Sequence, residues 1–194
     1  MLKLKLPTDP HWVKNVVENN ISEILTDHAW CEQKAASNAI SIVVRFPEYP
    51  ELVREMIQLS QEELSHFEMV HKKIEERGFE LGRERKDDYV NKLFEFMNRG
   101  GDPKIVLTDR LLFAAMVEAR SCERFKVLSE NITDQDLAKF YHELMISEAN
   151  HYTLFIRLAK KYGKVEIVDD RWKEWLDYEA DVIKSYGVGE TIHG

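Results

Sequence analysis

The stretch "EELSHFEMVH" (residues 62–71) contains two overlapping Glu-x-x-His words, Glu63/His66 and Glu68/His71, with Glu62 alongside. A Glu and a His three residues apart lie on one face of a helix, so both can reach one ion from a rigid backbone. Around them Met56, Leu59, Val70 and Ile74 recur at helical spacing, and Glu63 and His66 continue that stripe. Glu68 lies five positions beyond Glu63, about 140° around the helix, and Glu62 is rotated by about 100°. Glu62, Glu68 and His71 are therefore expected to face outward.

Outward from this segment the same design recurs. Helices are predicted from about Thr26 to Arg45, from about Glu51 to Arg77, after Asp102-Pro103, and from near Thr133-Asp134, with shorter helices at 10–20, 87–98 and 170–185. All five prolines lie at or before Pro103, which permits long helices in the second half. No segment sustains period-two alternation, so the expected fold class is an all-α bundle. The first stripe runs Leu25, Ala29, Ala36, Ala39, Val43. The third is Leu107, Leu111, Ala114, Cys122, Phe125, Leu128, and the fourth is Leu137, Tyr141, Leu144, Phe155, Leu158.

Each long helix breaks its stripe with ionisable residues: Glu32, Glu63/His66, Glu118 and Glu148/His151. The lone glutamates precede the paired ones at matching intervals, 63 − 32 = 31 and 148 − 118 = 30, whereas 68 − 32 = 36. A further Glu-x-x-His word, Glu190/His193, sits in the Gly-containing tail "GVGETIHG" and has no stripe. Disorder is expected after Tyr186. Glu123, about 140° from Glu118, reads as surface charge.

A buried carboxylate costs several kcal/mol unless compensated, and four converging ones repel one another. Divalent metal removes both costs. One Glu from each of two helices and Glu-x-x-His from each of the other two is the ferritin-like di-iron or di-manganese carboxylate pattern. By that pattern Glu63 and Glu148 bridge two metals, Glu32 and Glu118 bind terminally, and His66 and His151 take one metal each. The oxygen-rich donor set suits iron or manganese and argues against an iron–sulfur cluster.

The bulk properties narrow the function classes. A chain of 194 residues fits a single domain, with a core over about 20–162 and a C-terminal helix over about 170–185. A net charge of −8 argues against nonspecific nucleic-acid binding. The basic runs "HKK" (71–73), "GRERK" (82–86) and "AKKYGK" (159–164) each read by themselves as solvated helix ends. No apolar run reaches membrane-span length and no signal peptide is seen, so a cytoplasmic location and no membrane partner are expected. Cys31 and Cys122 form no CxxC and suit a reducing compartment. Neither a Gly-rich dinucleotide motif nor a Cys-rich cluster is present, so electrons for any redox chemistry are expected from a separate electron-donor protein. A ferritin-like iron store or peroxidase and a helical interaction protein stay open on these grounds.

The words around the ligands carry a more specific resemblance. "LTDHAWCEQKAA" (25–36), "EELSHFEMV" (62–70), "RGFELG" (77–82), "VEARSCERF" (117–125) and "SEANHY" (147–152) together resemble the MiaE family, tRNA 2-methylthio-N6-isopentenyladenosine hydroxylases, over roughly residues 9 to 185. The resemblance implies a ferritin-like four-helix bundle with two iron ions. It implies a monooxygenase that hydroxylates the isopentenyl group of the modified adenosine beside the anticodon, at position 37. Such an enzyme uses O2 and two electrons from an external reductase, with tRNA as substrate partner. The family's metal residues map onto Glu32, Glu63, His66, Glu118, Glu148 and His151. Phe67, Phe113, Phe125 and Tyr152, each close in sequence to a ligand, are candidates to line an apolar substrate cavity. Lys72, Lys73, Arg83, Arg85 and Lys86 are candidate tRNA contacts, and a monomer or small homo-oligomer is expected.

Overall fold

Aspartate and proline set most of the helix starts. In the computed structural model, which describes residues 2–185, α1 spans Ile21–Arg45, α2 Pro50–Glu76, α3 Asp88–Phe96, α4 Pro103–Asn131, α5 Gln135–Tyr162 and α6 Val165–Ser185. A π-helical turn, Val13–Val17, precedes them, and no strand occurs among the described residues. The Glu190/His193 word and the expectation for the tail after Tyr186 lie outside these residues.

Pro50 and Pro103 occupy the first turns of α2 and α4, where a missing N–H costs nothing. Asp87, Asp102 and Asp134 cap α3, α4 and α5: their carboxylates accept from the amides of Val90 at 2.9 Å, Lys104 at 2.8 Å and Asp136 at 2.9 Å. The second, third and fourth long helices thus begin within two residues of expectation, whereas the first starts about five residues earlier, at Ile21. The C-terminal helix starts earlier, at Val165.

Residues 19–86 form one compact unit, and residues 2–18 with 87–185 form another. In the first unit α1 and α2 pack together, joined by the short connection 46–49, which makes them an antiparallel pair. α2 ends where Gly78 adopts a left-handed φ of 68°, with its amide donating to Glu75 O and that of Phe79 to Ile74 O. The chain then runs back along α1 as a strap. Trp30 Nε1 donates to Gly82 O (2.9 Å), Lys34 Nζ donates to Arg85 O (3.2 Å), and Arg85 pairs with Glu23.

In the second unit α4 pairs with α5 across residues 132–134, and α6, α3 and the π-helical turn pack on that pair. α4 is buried on nearly every face, polar residues included. Asp109 is held by Arg171 Nε and Nη2, both at 2.8 Å, and by the amide of Asn98 at 2.7 Å. Arg120 donates to Glu179 Oε1 from Nε (2.9 Å) and Nη2 (2.5 Å), to Leu6 O (3.1 Å) and to Glu123 Oε2 (2.9 Å). Glu123 also accepts from the amide (2.8 Å) and hydroxyl (2.7 Å) of Thr8. It is therefore not the solvated surface charge expected of it, because the N-terminal segment covers it and Arg120 pairs with it.

The stripes of α2, α4 and α5 are buried as expected. On α1 the last place falls to Ile42, which is buried, while Val43 is half-buried.

Candidate metal centre

Each helix pair carries one Glu, Glu, His triad inside its own apolar stripe. In the first unit Glu32 comes from α1, and Glu63 and His66 from α2. In the second, Glu118 comes from α4, and Glu148 and His151 from α5. All six residues are at most 6% exposed. Within each triad one ligand atom per residue can be chosen so that all three lie within 4.8 Å of one another. His66 Nδ1 is 3.2 Å from Glu63 Oε2 and 3.7 Å from Glu32 Oε2. His151 Nδ1 is 3.7 Å from Glu148 Oε1 and 3.9 Å from Glu118 Oε2.

The first triad contains a partner the sequence reading missed. His28, fully buried, places Nε2 2.6 Å from Glu32 Oε1. Burial by itself would raise the Glu32 carboxyl, but the hydrogen bonds with His28 and His66 outweigh it and hold the group well below its ordinary range. Burial opposes the charge on His66 too, and its bonds to Glu32 and Glu63 raise it to about 10. The signal for His28 was present: it precedes Glu32 by four residues, one turn away on the same helix face. The donor set fits two divalent ions. Two buried carboxylates beside one imidazole concentrate negative charge where water cannot screen it, and hard oxygen donors with one nitrogen suit iron or manganese.

The outward residues stand as expected: Glu62 and Glu68 are exposed, though Glu62 Oε1 still comes within 4.0 Å of His66 Nε2. His71 is half-buried, stacked on Phe67 at 6.4 Å. Phe67 also meets Trp30 at 5.9 Å, and Phe125 packs on Tyr141 at 5.4 Å in the α4–α5 core. Phe113 packs against Phe94 and Trp175, and Tyr152 against Trp172. Phe113 thus meets α3 and α6, and Tyr152 meets α6. Among the candidate tRNA contacts, Lys72 and Lys73 pair with Glu76 at 3.9 and 3.2 Å, and Arg85 is engaged by Glu23. Arg83 and Lys86 are exposed on the strap.

The model of the family described as tRNA-(MS[2]IO[6]A)-hydroxylase (MiaE) matches residues 2–194. The chain belongs to the MiaE family. It is 37% identical over 160 residues to a protein of Pseudomonas putida named tRNA 2-(methylsulfanyl)-N(6)-isopentenyladenosine(37) hydroxylase, covering 82% of this chain and 76% of that protein. A protein of the same name from Salmonella typhimurium is 28% identical over 230 aligned positions, covering 94% of this chain and 84% of that protein. Among solved structures, a Synechococcus protein with aldehyde deformylating oxygenase activity superposes with a TM-score of 0.90 at 31% identity. That match covers 98% of this chain and 95% of the other. The fold of this MiaE-family chain is all-α and ferritin-like, and its carboxylate and histidine clusters fit a di-iron site. No helix among the described residues is long and apolar enough to cross a membrane.

Proposed function

We propose that this chain is a cytoplasmic tRNA-modifying monooxygenase that hydroxylates the isopentenyl group of 2-methylthio-N6-isopentenyladenosine at position 37. The observation that carries the reading is the pair of buried Glu, Glu, His triads in a chain matched by the MiaE family from end to end. The whole chain then acts as one functional domain holding two iron ions. Glu32, Glu63, His66, Glu118, Glu148 and His151 would hold the iron, four carboxylates and two imidazoles in all. When bound, the iron pair supplies O2 activation at the expense of two electrons delivered by a separate reductase protein. The chain's own residues do the rest. His28 holds one oxygen of Glu32, fixing the direction of its remaining lone pairs. Val70, Leu59 and Met56, and Leu144, Phe155 and Leu158, continue the two stripes on either side of the triads as buried apolar groups that would exclude water from them.

The test has two arms. Protein reconstituted with ferrous iron should hold about two irons per chain, and fewer than about one would sink the di-iron reading. tRNA from cells with and without the gene, digested and examined by mass spectrometry, should differ in the hydroxylated isopentenyl nucleoside. Identical nucleosides would refute the hydroxylase. The likeness to the Synechococcus oxygenase favours a second reading, action on an aldehyde. The same reconstituted protein converting an aldehyde but not the tRNA would establish it instead.

A further inference from the structure

A groove of about 270 Å³ opens between α1 and α2, lined by Gln33, Ala36, Ser37, Ile40, Ser60 and Leu64. None of the six is charged. Its floor is made of small buried residues, Ala36 and Ser60, while Ile40 and Leu64 on the rim are 43% and 52% exposed. Ala36 follows Glu32 by four residues and Ser60 precedes Glu63 by three, so each floor residue lies one helical turn from a triad carboxylate. Helical side chains lean toward the N-terminus of their helix. The patch under Ala36 therefore lies over the turn that carries Glu32, and Glu63 leans back toward Ser60. Apolar exposure continues past the rim to Val44 and Ile57. On one wall, Gln33 Nε2 donates to Ser37 Oγ at 2.7 Å, placing an amide and a hydroxyl beside the apolar rim.

We propose that this groove is where the prenylated base enters, with its isopentenyl chain on the Ala36/Ser60 floor and its purine edge against Gln33 and Ser37. The proposal rests on the hydroxylase reading above and adds the residues that recognise the substrate. A neutral, apolar-rimmed slot beside the carboxylates matches a neutral branched hydrocarbon on a heteroaromatic ring. The charge of the chain points the same way. A net charge of −8 weakens nonspecific attraction to phosphates, and phosphate contacts carry no information about the base. Discrimination then falls to the modified base itself.

The test compares two synthetic anticodon stem-loop RNAs, one carrying N6-isopentenyladenosine and one plain adenosine, binding to iron-loaded protein without O2. The parent should bind the prenylated RNA about ten- to a hundredfold more tightly, as expected for burying part of a five-carbon chain. Leu64→Trp, at an exposed rim position, and Ala36→Leu, on the floor, should each reduce the preference to about twofold or less. Affinity for the plain RNA should stay unchanged. If Ala36→Leu fails to fold, Leu64→Trp alone decides. Parent enzyme that hydroxylates the prenylated RNA, with variants that keep the full preference, would overturn the groove and leave the hydroxylase standing. Parent enzyme that neither prefers nor hydroxylates the prenylated RNA would overturn both. A sedimentation coefficient that falls in Leu64→Trp, with RNA preference intact, would assign the groove to a second copy of the chain and so overturn the proposal.

Discussion

Replacing Arg120 by alanine should be among the most damaging single changes in the second unit. Arg120 is 1% exposed and Glu179 is wholly buried, and the guanidinium supplies two of the hydrogen bonds on Glu179 Oε1. After Arg120→Ala that carboxylate keeps only the Tyr89 hydroxyl, 3.3 Å away, and the N-terminal segment loses the bond to Leu6 O. Breaking a buried pair by removing one partner costs about 3–5 kcal/mol, because the remaining charge stays uncompensated. The pH dependence separates this cause from simple loss of packing. Burial raises the Glu179 carboxyl above its ordinary 4.5, and Arg120 holds that rise in check. A raised folded-state value means the native protein binds the extra proton. The associated stability is complete below 4.5 and is lost as pH rises through the folded value. Arg120→Ala lifts that value further and widens the window. Urea unfolding should therefore show a larger deficit at about pH 8 than at about pH 5, and Arg120→Met combined with Glu179→Leu should recover most of it. A deficit under about 1 kcal/mol, or one equal at both pH values, would refute the reasoning.

Three further outcomes follow from particular contacts. His28→Leu removes the 2.6 Å partner of Glu32 and should weaken iron binding about ten- to a hundredfold in a chelator competition, where unchanged affinity would count against the role given to His28. Burial, then the charges of Glu123 and Glu118, push the Cys122 thiol up to about 11, so native protein at about pH 8 should leave Cys122 unalkylated by iodoacetamide in peptide mapping. Rapid labelling there would contradict its burial. Gly163→Ala would drive a Cβ into Thr108 Oγ1 and to 2.6 Å from Ala159 O. That hydroxyl is fixed by donating to Lys104 O and accepting from Lys164 N, both at 2.8 Å, so the variant should lose about 1–3 kcal/mol, and a parent-like melting curve would refute the clash.

The four long helices and the residues of both triads were legible because each of the six sits at a stripe position, where periodicity alone separates Glu63 from Glu68. Caps at Asp102 and Asp134 fixed two starts within the same reading. What was not legible depends on contacts far apart in sequence. Glu123 looked solvated because its cover, Thr8, lies 115 residues away. The all-round burial of α4 defeats any one-face reading, since Asp109 and Arg120 look like surface residues until Arg171 and Glu179 reach them. His28 needed only the i to i+4 relation to Glu32, but a histidine beside an aspartate at a helix start carries no apolar signal. Phe113 and Tyr152 were placed by nearness in sequence to Glu118 and His151, yet neighbouring helical positions face different ways: Phe113 turns to α3 and α6, and Tyr152 to α6.

The burial of α4 has a kinetic consequence. Wrapped by α5, α6, α3 and the N-terminal turn, its central amides have no nearby fraying end, so their exchange with deuterated solvent requires the whole unit to open. Glu118 rides on that segment. The carboxylate is thus anchored to the slowest-exchanging stretch of its unit. Loss of ligand geometry there should track global unfolding, with no separate early step as the protein is heated.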